Sequence, residues 1–197
     1  MTIITDADCT CLQNNLQELE NWSAKWQLIV SVKSNVLHIS NSVTTSSSYI
    51  LCSTVLPNLN SIRDLGVIVD CKLKFDIHIK SIVSKAHQRG NCIYRCFLCR
   101  DIGWLMKAYI TYVRPIVEYA SPVWNPTYTT LIDNLERVQR AFTKRLPGYY
   151  NLTYGTRLQL LHLESLEHRR LQSYLILCYK SIFRLLPIPL RVAMILK

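Results

Sequence analysis

Four cations crowd one short segment, LERVQRAFTKRL: Arg137, Arg140, Lys144 and Arg145. Guanidinium and ammonium groups repeated at such short intervals suit the neutralisation of successive phosphates along a nucleic-acid backbone. The other reactive side chains are less organised. Cys92, Cys96 and Cys99 follow x3 and x2 spacing, which could place thiolates on a zinc ion or form a redox pair. A structural zinc takes four ligands, usually from two knuckles. Neither Cys9 and Cys11 nor the scattered His78, His87, His162 and His168 supplies the second half. The three thiols alternate with Ile93, Phe97 and Leu98, so they are expected to be buried and free, and no metal site is expected. Asp6 and Asp8 are separated by one residue at the head of a helical pattern. They read as helix caps rather than as the clustered carboxylates of a metal-dependent phosphoryl transfer. The chain has no Gly-rich phosphate loop and no legible Ser/His/Asp or Cys/His arrangement. Arg169-Arg170 forms a second, weaker basic patch.

Periodicity gives the elements that position these groups. Leu131, Leu135, Val138, Phe142 and Leu146 predict an amphipathic helix over Thr130–Leu146, with the cations on its far face and Arg145 on the flank. Thr130 with Asp133 resembles a capping box, and Pro147-Gly148 ends the helix. Before it, Tyr109–Trp124 is aromatic and aliphatic but holds Pro115 and Pro122, and reads as packed helix broken by a kink or turn. Ile79, Ile82, Val83, Ala86, Gly90, Ile93 and Phe97 predict a long helix from Phe75 to about Arg100, with Lys80, Lys85, Arg89 and Arg95 on other faces. Downstream, Thr156 caps a short helix through Leu163. Leu171, Tyr174, Leu175, Cys178 and Ile182 form one face of a last helix over about Ser165–Leu186.

Upstream, Asp6–Gln27 reads as a first helix lined by Leu12, Leu16, Leu19 and Trp26. Short β runs follow at Gln27–Val32, Val36–Ser40, Tyr49–Val55 and Leu65–Val69. SNSVTTSSS is a polar loop, LPNLNS a turn, and Gly66 a bulge or a point of close backbone approach. The fold class is therefore α+β: a small antiparallel β part over about 27–70, then a mainly α-helical bundle.

YVRPIVEYASPVWNP followed by LERVQRAFTKRL resembles the region after the catalytic core in reverse transcriptases of non-LTR retrotransposons, the LINE-type and jockey-like elements. Upstream LQNNLQELENWSAKWQL, VLHI and DLGVIVDCKLKFDIHI, and downstream RLQLLHLESLEHRRLQSYLILCYKSIF, extend the resemblance from about Asp6 to Phe183. It implies a fragment of an RNA-directed DNA polymerase. Residues 1–71 would be the end of a palm, residues 72–186 a thumb-like and post-thumb region, and residues 187–197 a divergent or truncated tail. The thumb-like part would hold a template–primer duplex, RNA–DNA or DNA, through sequence-independent phosphate contacts. The family's catalytic Asp motifs, which hold Mg²⁺, are missing, so neither catalysis nor a cofactor is expected of this chain. Met1 is expected to be an internal start or a boundary within a longer or decayed element.

The resemblance also assigns two smaller roles. Lys33 matches the lysine that donates a proton to the departing pyrophosphate in such polymerases. The family's Lys-Cys is here Lys33-Ser34, and the segment from Trp26 to Lys33 is one residue short. A solvated turn lysine is the competing assignment. Leu65-Gly66-Val67 matches the motif whose hairpin grips the primer end, with an ordinary buried strand as the alternative.

Composition narrows the partner. Nearly half of the 197 residues are apolar, enough for a real core. The net charge of +10 is uneven: residues 1–71 hold 3 Lys/Arg against 6 Asp/Glu, and residues 72–197 hold 20 against 7. A strongly basic half calls for a polyanion, nucleic acid before anionic membrane. No signal peptide is visible, and no apolar run reaches the ~18–20 residues of a spanning helix. An intracellular location, nuclear or cytoplasmic, is expected, with the eight cysteines as free thiols. The readings from other classes are a non-enzymatic helical module for a protein partner or an anionic membrane surface, and a relic without function.

Overall fold

A computed structural model describes residues 6–28, 30, 34–39 and 48–185. The fold is α+β, and the chain divides into two compact units, residues 1–73 and 74–197. The first holds α1 (Asp6–Lys25) and two antiparallel hairpins: β1 (Ile50–Leu51) with β2 (Thr54–Val55), and β3 (Ser61–Asp64) with β4 (Val67–Asp70). Asp6 and Asp8 fall in the first turn of α1. Tyr49, Leu51 and Leu56 form a small core, against which Leu12, Leu16, Val30 and Val36 pack. Polar bonds help to dock α1. The Gln13 amide donates to Ile50 O (2.8 Å) and accepts from Ile50 N (3.0 Å), and Glu20 accepts from Cys52 N (3.2 Å). Leu19 and Trp26, expected on the inner face, are exposed.

Both hairpins turn on two residues with positive φ: Cys52 (49°) and Ser53 (58°), then Leu65 (43°) and Gly66 (91°). That mirror-image turn matches the twist of the flanking strands. Gly66 adopts it freely, whereas each non-glycine residue bears a cost on the order of 1 kcal/mol. Two expectations are thereby corrected. Leu65–Val69 is not one strand with a bulge at Gly66, and Tyr49–Val55 folds back on itself at Cys52-Ser53. The apolar pattern ran across each turn because Leu65 is apolar yet sits at the tip, 84% exposed. Gln27–Val32 and Val36–Ser40 form no strand among their described residues; Val36 makes an isolated parallel bridge to Asn58, inside the expected LPNLNS turn. Lys33, the polar loop at 40–47 and the tail at 186–197 lie outside the described residues.

The second unit is helical: α2 (Asp76–Cys96), α3 (Ile102–Ala108), a π-helical turn (Tyr109–Val113), α4 (Arg114–Glu118), α5 (Ser121–Trp124), α6 (Thr129–Lys144), α7 (Tyr154–Leu160) and α8 (Leu166–Ile182). α2 buries Ile79, Ile82, Ala86 and Ile93 against α6, which buries Leu131, Leu135, Val138 and Phe142; Leu146, just past the end of α6, is buried too. Each such side chain contributes roughly 1.5–3 kcal/mol. The helices meet closely at Gly90, where a Cβ would stand 3.4 Å from the Phe142 ring.

The expected kink is a π turn followed by two breaks. Pro115 has no N–H, and its ring would clash with the Thr111 carbonyl in a continuous α-helix. Instead the Arg114 N–H reaches back to Tyr109 O. Leu105, Tyr109, Val113 and Val117 are all fully buried at intervals of four. In an α-helix a four-residue stripe drifts by about 40° per step, and the wider π turn takes up part of that drift. Ala120, at φ 52°, separates α4 from α5.

Several boundaries move. α2 stops at Cys96, because Phe97 is extended (φ −87°, ψ 107°). α6 starts at Thr129 behind Tyr128, without a side-chain cap, so Thr130 caps nothing. Thr153 rather than Thr156 caps α7, and Ser165 caps α8. Of the face expected on α8, Leu171, Leu175 and Ile182 are exposed and Tyr174 and Cys178 half-buried, while Leu166, Arg170 and Ser181 are buried.

Candidate nucleic-acid interface

On α6 the buried arc is wider than its apolar stripe. Glu136, Gln139 and Thr143, at i, i+3 and i+7, are buried along one edge of it. That leaves Arg137, Arg140 and Lys144 on a narrow exposed strip, and Arg145 exposed just beyond the helix end. Among the described residues none of these four cations makes an ion pair with a carboxylate.

Three of the four are instead steered by a ring or a neutral group. The Arg140 guanidinium lies 5.1 Å from the Tyr154 ring centre, Lys144 Nζ 4.8 Å from that of Tyr150, and Arg145 4.1 Å from that of Tyr94. Such contacts orient a cation without cancelling its charge. Arg145 Nη1 also donates to Asn91 Oδ1 on α2 (2.6 Å). Tyr94 donates to Phe142 O (2.9 Å), and burial pushes its phenol up to about 12, opposed by Arg145 and Arg100. Arg137 acts on His87 of α2, whose pKa is lowered first by burial and then by that positive charge. Lys80, Lys85, Arg89 and Arg95 are exposed on α2.

The polar edge of α6 fixes this surface. Gln139 accepts from the Tyr109 hydroxyl (2.9 Å) and donates to Tyr154 Oη (3.1 Å) and Glu164 O (2.9 Å). Glu136 accepts from the Tyr154 hydroxyl and, at 3.3 Å, from the N–H groups of Leu166 and Glu167. A carboxylate is thus placed at the positive end of the α8 dipole. Arg157, 4% exposed, donates to Arg140 O (2.8 Å) and Thr143 Oγ1 (2.9 Å) near the C-terminal end of α6. Desolvation lowers its pKa, opposed by Tyr154. Periodicity of apolar residues gave no sign of these groups; the only hint was three polar residues at helical spacing beside the stripe.

The second basic patch is corrected. Arg169 bonds through two nitrogens to Glu118, which Arg114 also approaches at 3.7 Å. Arg170 is 2% exposed, and none of its side-chain nitrogens has a hydrogen-bond partner among the described residues. Burial lowers its pKa, opposed by Glu136, Glu167 and Glu118. The adjacent cations therefore offer no joint surface. These bonds, Glu136 at the helix start and the buried Leu166 all hold the side of α8 opposite its exposed leucines.

Leu65 and Gly66 form the exposed tip of the β3–β4 hairpin, not a buried strand. The cysteines are also corrected: Cys92, Cys96 and Cys99 are exposed rather than buried. Cys92 and Cys96 lie on the outer flank of α2, where the adjacent Ile93 turns inward, and Cys99 lies beyond the helix end. Among the described residues no group of three or more Cys, His, Asp or Glu could hold a metal ion, and no helix is long and apolar enough to cross a membrane.

No protein-family model matches the chain, and no solved structure matches it. Among curated proteins, an uncharacterized protein of Caenorhabditis elegans, B0403.1, is 31% identical over 115 residues, which are 57% of this chain. The chain spans 58% of that relative's length.

Proposed function

We propose that the chain is a fragment of a non-LTR retrotransposon RNA-directed DNA polymerase that holds duplex nucleic acid by its phosphates and has no catalytic centre of its own. The observation that carries this reading is the exposed strip of Arg137, Arg140 and Lys144, with Arg145 beside it, in a unit rich in Lys and Arg. The strip runs along a packed helix, so its cations hold their spacing while phosphates release counterions to meet them. Tyr150 and Tyr128, both exposed, could add stacking on unpaired bases.

The test is the variant Arg137→Ala/Arg140→Ala/Lys144→Ala, titrated against RNA–DNA and DNA duplexes of unrelated sequence over a range of salt. None of the three side chains is buried, so circular dichroism and the unfolding midpoint should be unchanged. The log–log salt slope should fall by about one unit for each phosphate that is no longer neutralised. Unchanged affinity and slope would sink the proposal. In the same preparation, primer extension with Mg²⁺ and deoxynucleotides should stay at the level of a heat-killed control. A second reading, a helical module for a protein partner, is favoured by the exposed Leu171, Leu175, Ile176 and Tyr179 of α8. It would be preferred if no duplex bound even at low salt.

A further inference from the structure

Cys92 and Cys96 stand one turn apart on the exposed flank of α2, with their sulfurs 3.8 Å from each other. Cys92 also lines an open groove of about 430 Å³ together with Lys85, Gln88, Arg89 and Ile116. A nucleophilic sulfur, a second sulfur within reach of it, and two cations at the mouth of one groove form a set that the duplex-binding surface does not use. The two thiols lie within hydrogen-bond distance, and either can be the donor. Cys92 is the one of the two that lines the groove beside Lys85 and Arg89, so an anionic reagent held there meets Cys92 first.

We propose that Cys92 and Cys96 form a reversible dithiol–disulfide pair whose reaction partner is a small anionic disulfide, of which glutathione disulfide is the probe. Lys85 and Arg89 attract its carboxylates into the groove. The Cys92 thiolate attacks one sulfur, the small disulfide breaks, one thiolate leaves, and Cys92 carries a mixed disulfide. Cys96 gives its proton to solvent and attacks the Cys92 sulfur, and the second thiolate leaves. Two protein thiols are oxidised and one small disulfide is reduced to two thiols, so electrons balance.

The end of α2 makes closure possible. Side chains four apart on a helix hold their Cβ atoms ≈ 5–6 Å apart, and a disulfide draws them to ≈ 3.5–4.5 Å. Cys96 is the last helical residue and Phe97 is already extended, so only a terminal turn has to open. Tyr94 lies in that turn and holds Phe142 O, so oxidation loosens the tie between α2 and α6.

The experiment incubates the reduced chain with glutathione disulfide, alkylates the remaining thiols and maps peptides. The expected product joins Cys92 to Cys96 with loss of two hydrogen atoms and release of two glutathione thiols, reversed by dithiothreitol. Cys96→Ser should stop at a mixed disulfide on Cys92. Lys85→Ala/Arg89→Ala should slow the reaction by about tenfold with glutathione disulfide, while leaving the rate with uncharged hydroxyethyl disulfide unchanged. Glutathione on Cys99 or Cys178 with Cys92 and Cys96 both alkylated would overturn the proposal, as would equal slowing of both reagents. None of these readouts depends on nucleic-acid binding.

Discussion

Glu136→Gln keeps the shape of a side chain that is 7% exposed and removes only its charge and one acceptor oxygen. Three donors converge on that carboxylate: the Tyr154 hydroxyl and the Leu166 and Glu167 N–H groups. A glutamine amide can still accept through its one oxygen, but its NH₂ group then faces at least one N–H. Leaving a buried donor unsatisfied costs about 1–3 kcal/mol. Losing a negative charge at the start of α8 costs a further ~0.3–1 kcal/mol. Arg170, buried and without a hydrogen-bond partner among the described residues, also loses a carboxylate that favours its charge. The total is about 2–4 kcal/mol, and with a urea dependence of roughly 2 kcal/mol/M the midpoint falls by about 1–2 M. Hydrogen exchange localises the effect, because the amides of Leu166 and Glu167 should lose protection first. Glu167→Gln is the comparison: it removes a charge from the same first turn at an exposed position, so it forfeits the dipole contribution but strands no buried donor, and should shift stability by no more than ~1 kcal/mol. If Glu136→Gln leaves the midpoint within about 0.2 M and both amides protected, the carboxylate does not hold α8.

Phe142→Ala removes a buried ring packed 4.8 Å from both Tyr94 and Tyr109; thermal and urea unfolding should show a loss of about 3–5 kcal/mol. Gly90→Ala sets a helix-propensity gain of about 1 kcal/mol against a new contact at 3.4 Å to Phe142. It should be neutral to mildly stabilising in urea, and Gly90→Leu strongly destabilising. Tyr94 ionises at about 12 when folded, and burial also raises Tyr109 and Tyr154, against about 10 for an unfolded tyrosine. A raised folded pKa gives stability that is full below about pH 10 and lost as pH climbs toward 12. Unfolding midpoints at pH 8 and pH 11, with Tyr94→Phe as the comparison, check this. Arg137→Ala should raise the His87 pKa followed by NMR, since Arg137 is one of the two influences holding it down.

The helices of the second unit were legible because apolar residues at helical spacing specify a buried face. Leu131, Leu135, Val138 and Phe142 are buried, and Arg137, Arg140 and Lys144 exposed, as that spacing requires. What the pattern could not carry was the polar packing. Glu136, Gln139, Thr143, Arg157 and Arg170 have the composition of a surface, and only their partners in distant segments allow burial. The same blindness hid the inner face of α8, where Leu166 is buried together with Arg170 and Ser181 while Leu171 and Leu175 are exposed. In the first unit, two-residue turns at Cys52-Ser53 and Leu65-Gly66 carry little of the usual turn chemistry, so hairpins passed for single strands. Cys92 and Cys96 were misplaced because adjacent helical residues differ in direction by about 100°, and apolar neighbours in sequence are not neighbours in space.

The π turn at Tyr109–Val113 bears on how this chain can change in length. Such a turn accommodates one residue more than an α-helical turn, and the surplus lies between α3 and α4, each of which keeps its own hydrogen bonding. Deleting Thr111 or Tyr112, both exposed, would remove that surplus and leave α3 and α4 near their present orientation, at the cost of bringing the Pro115 ring toward the carbonyl four residues before it. A deletion inside α2 or α6 has no such slack to draw on. The unit thus holds, at one point in its core, a tolerance to insertion and deletion that is ordinarily confined to surface loops.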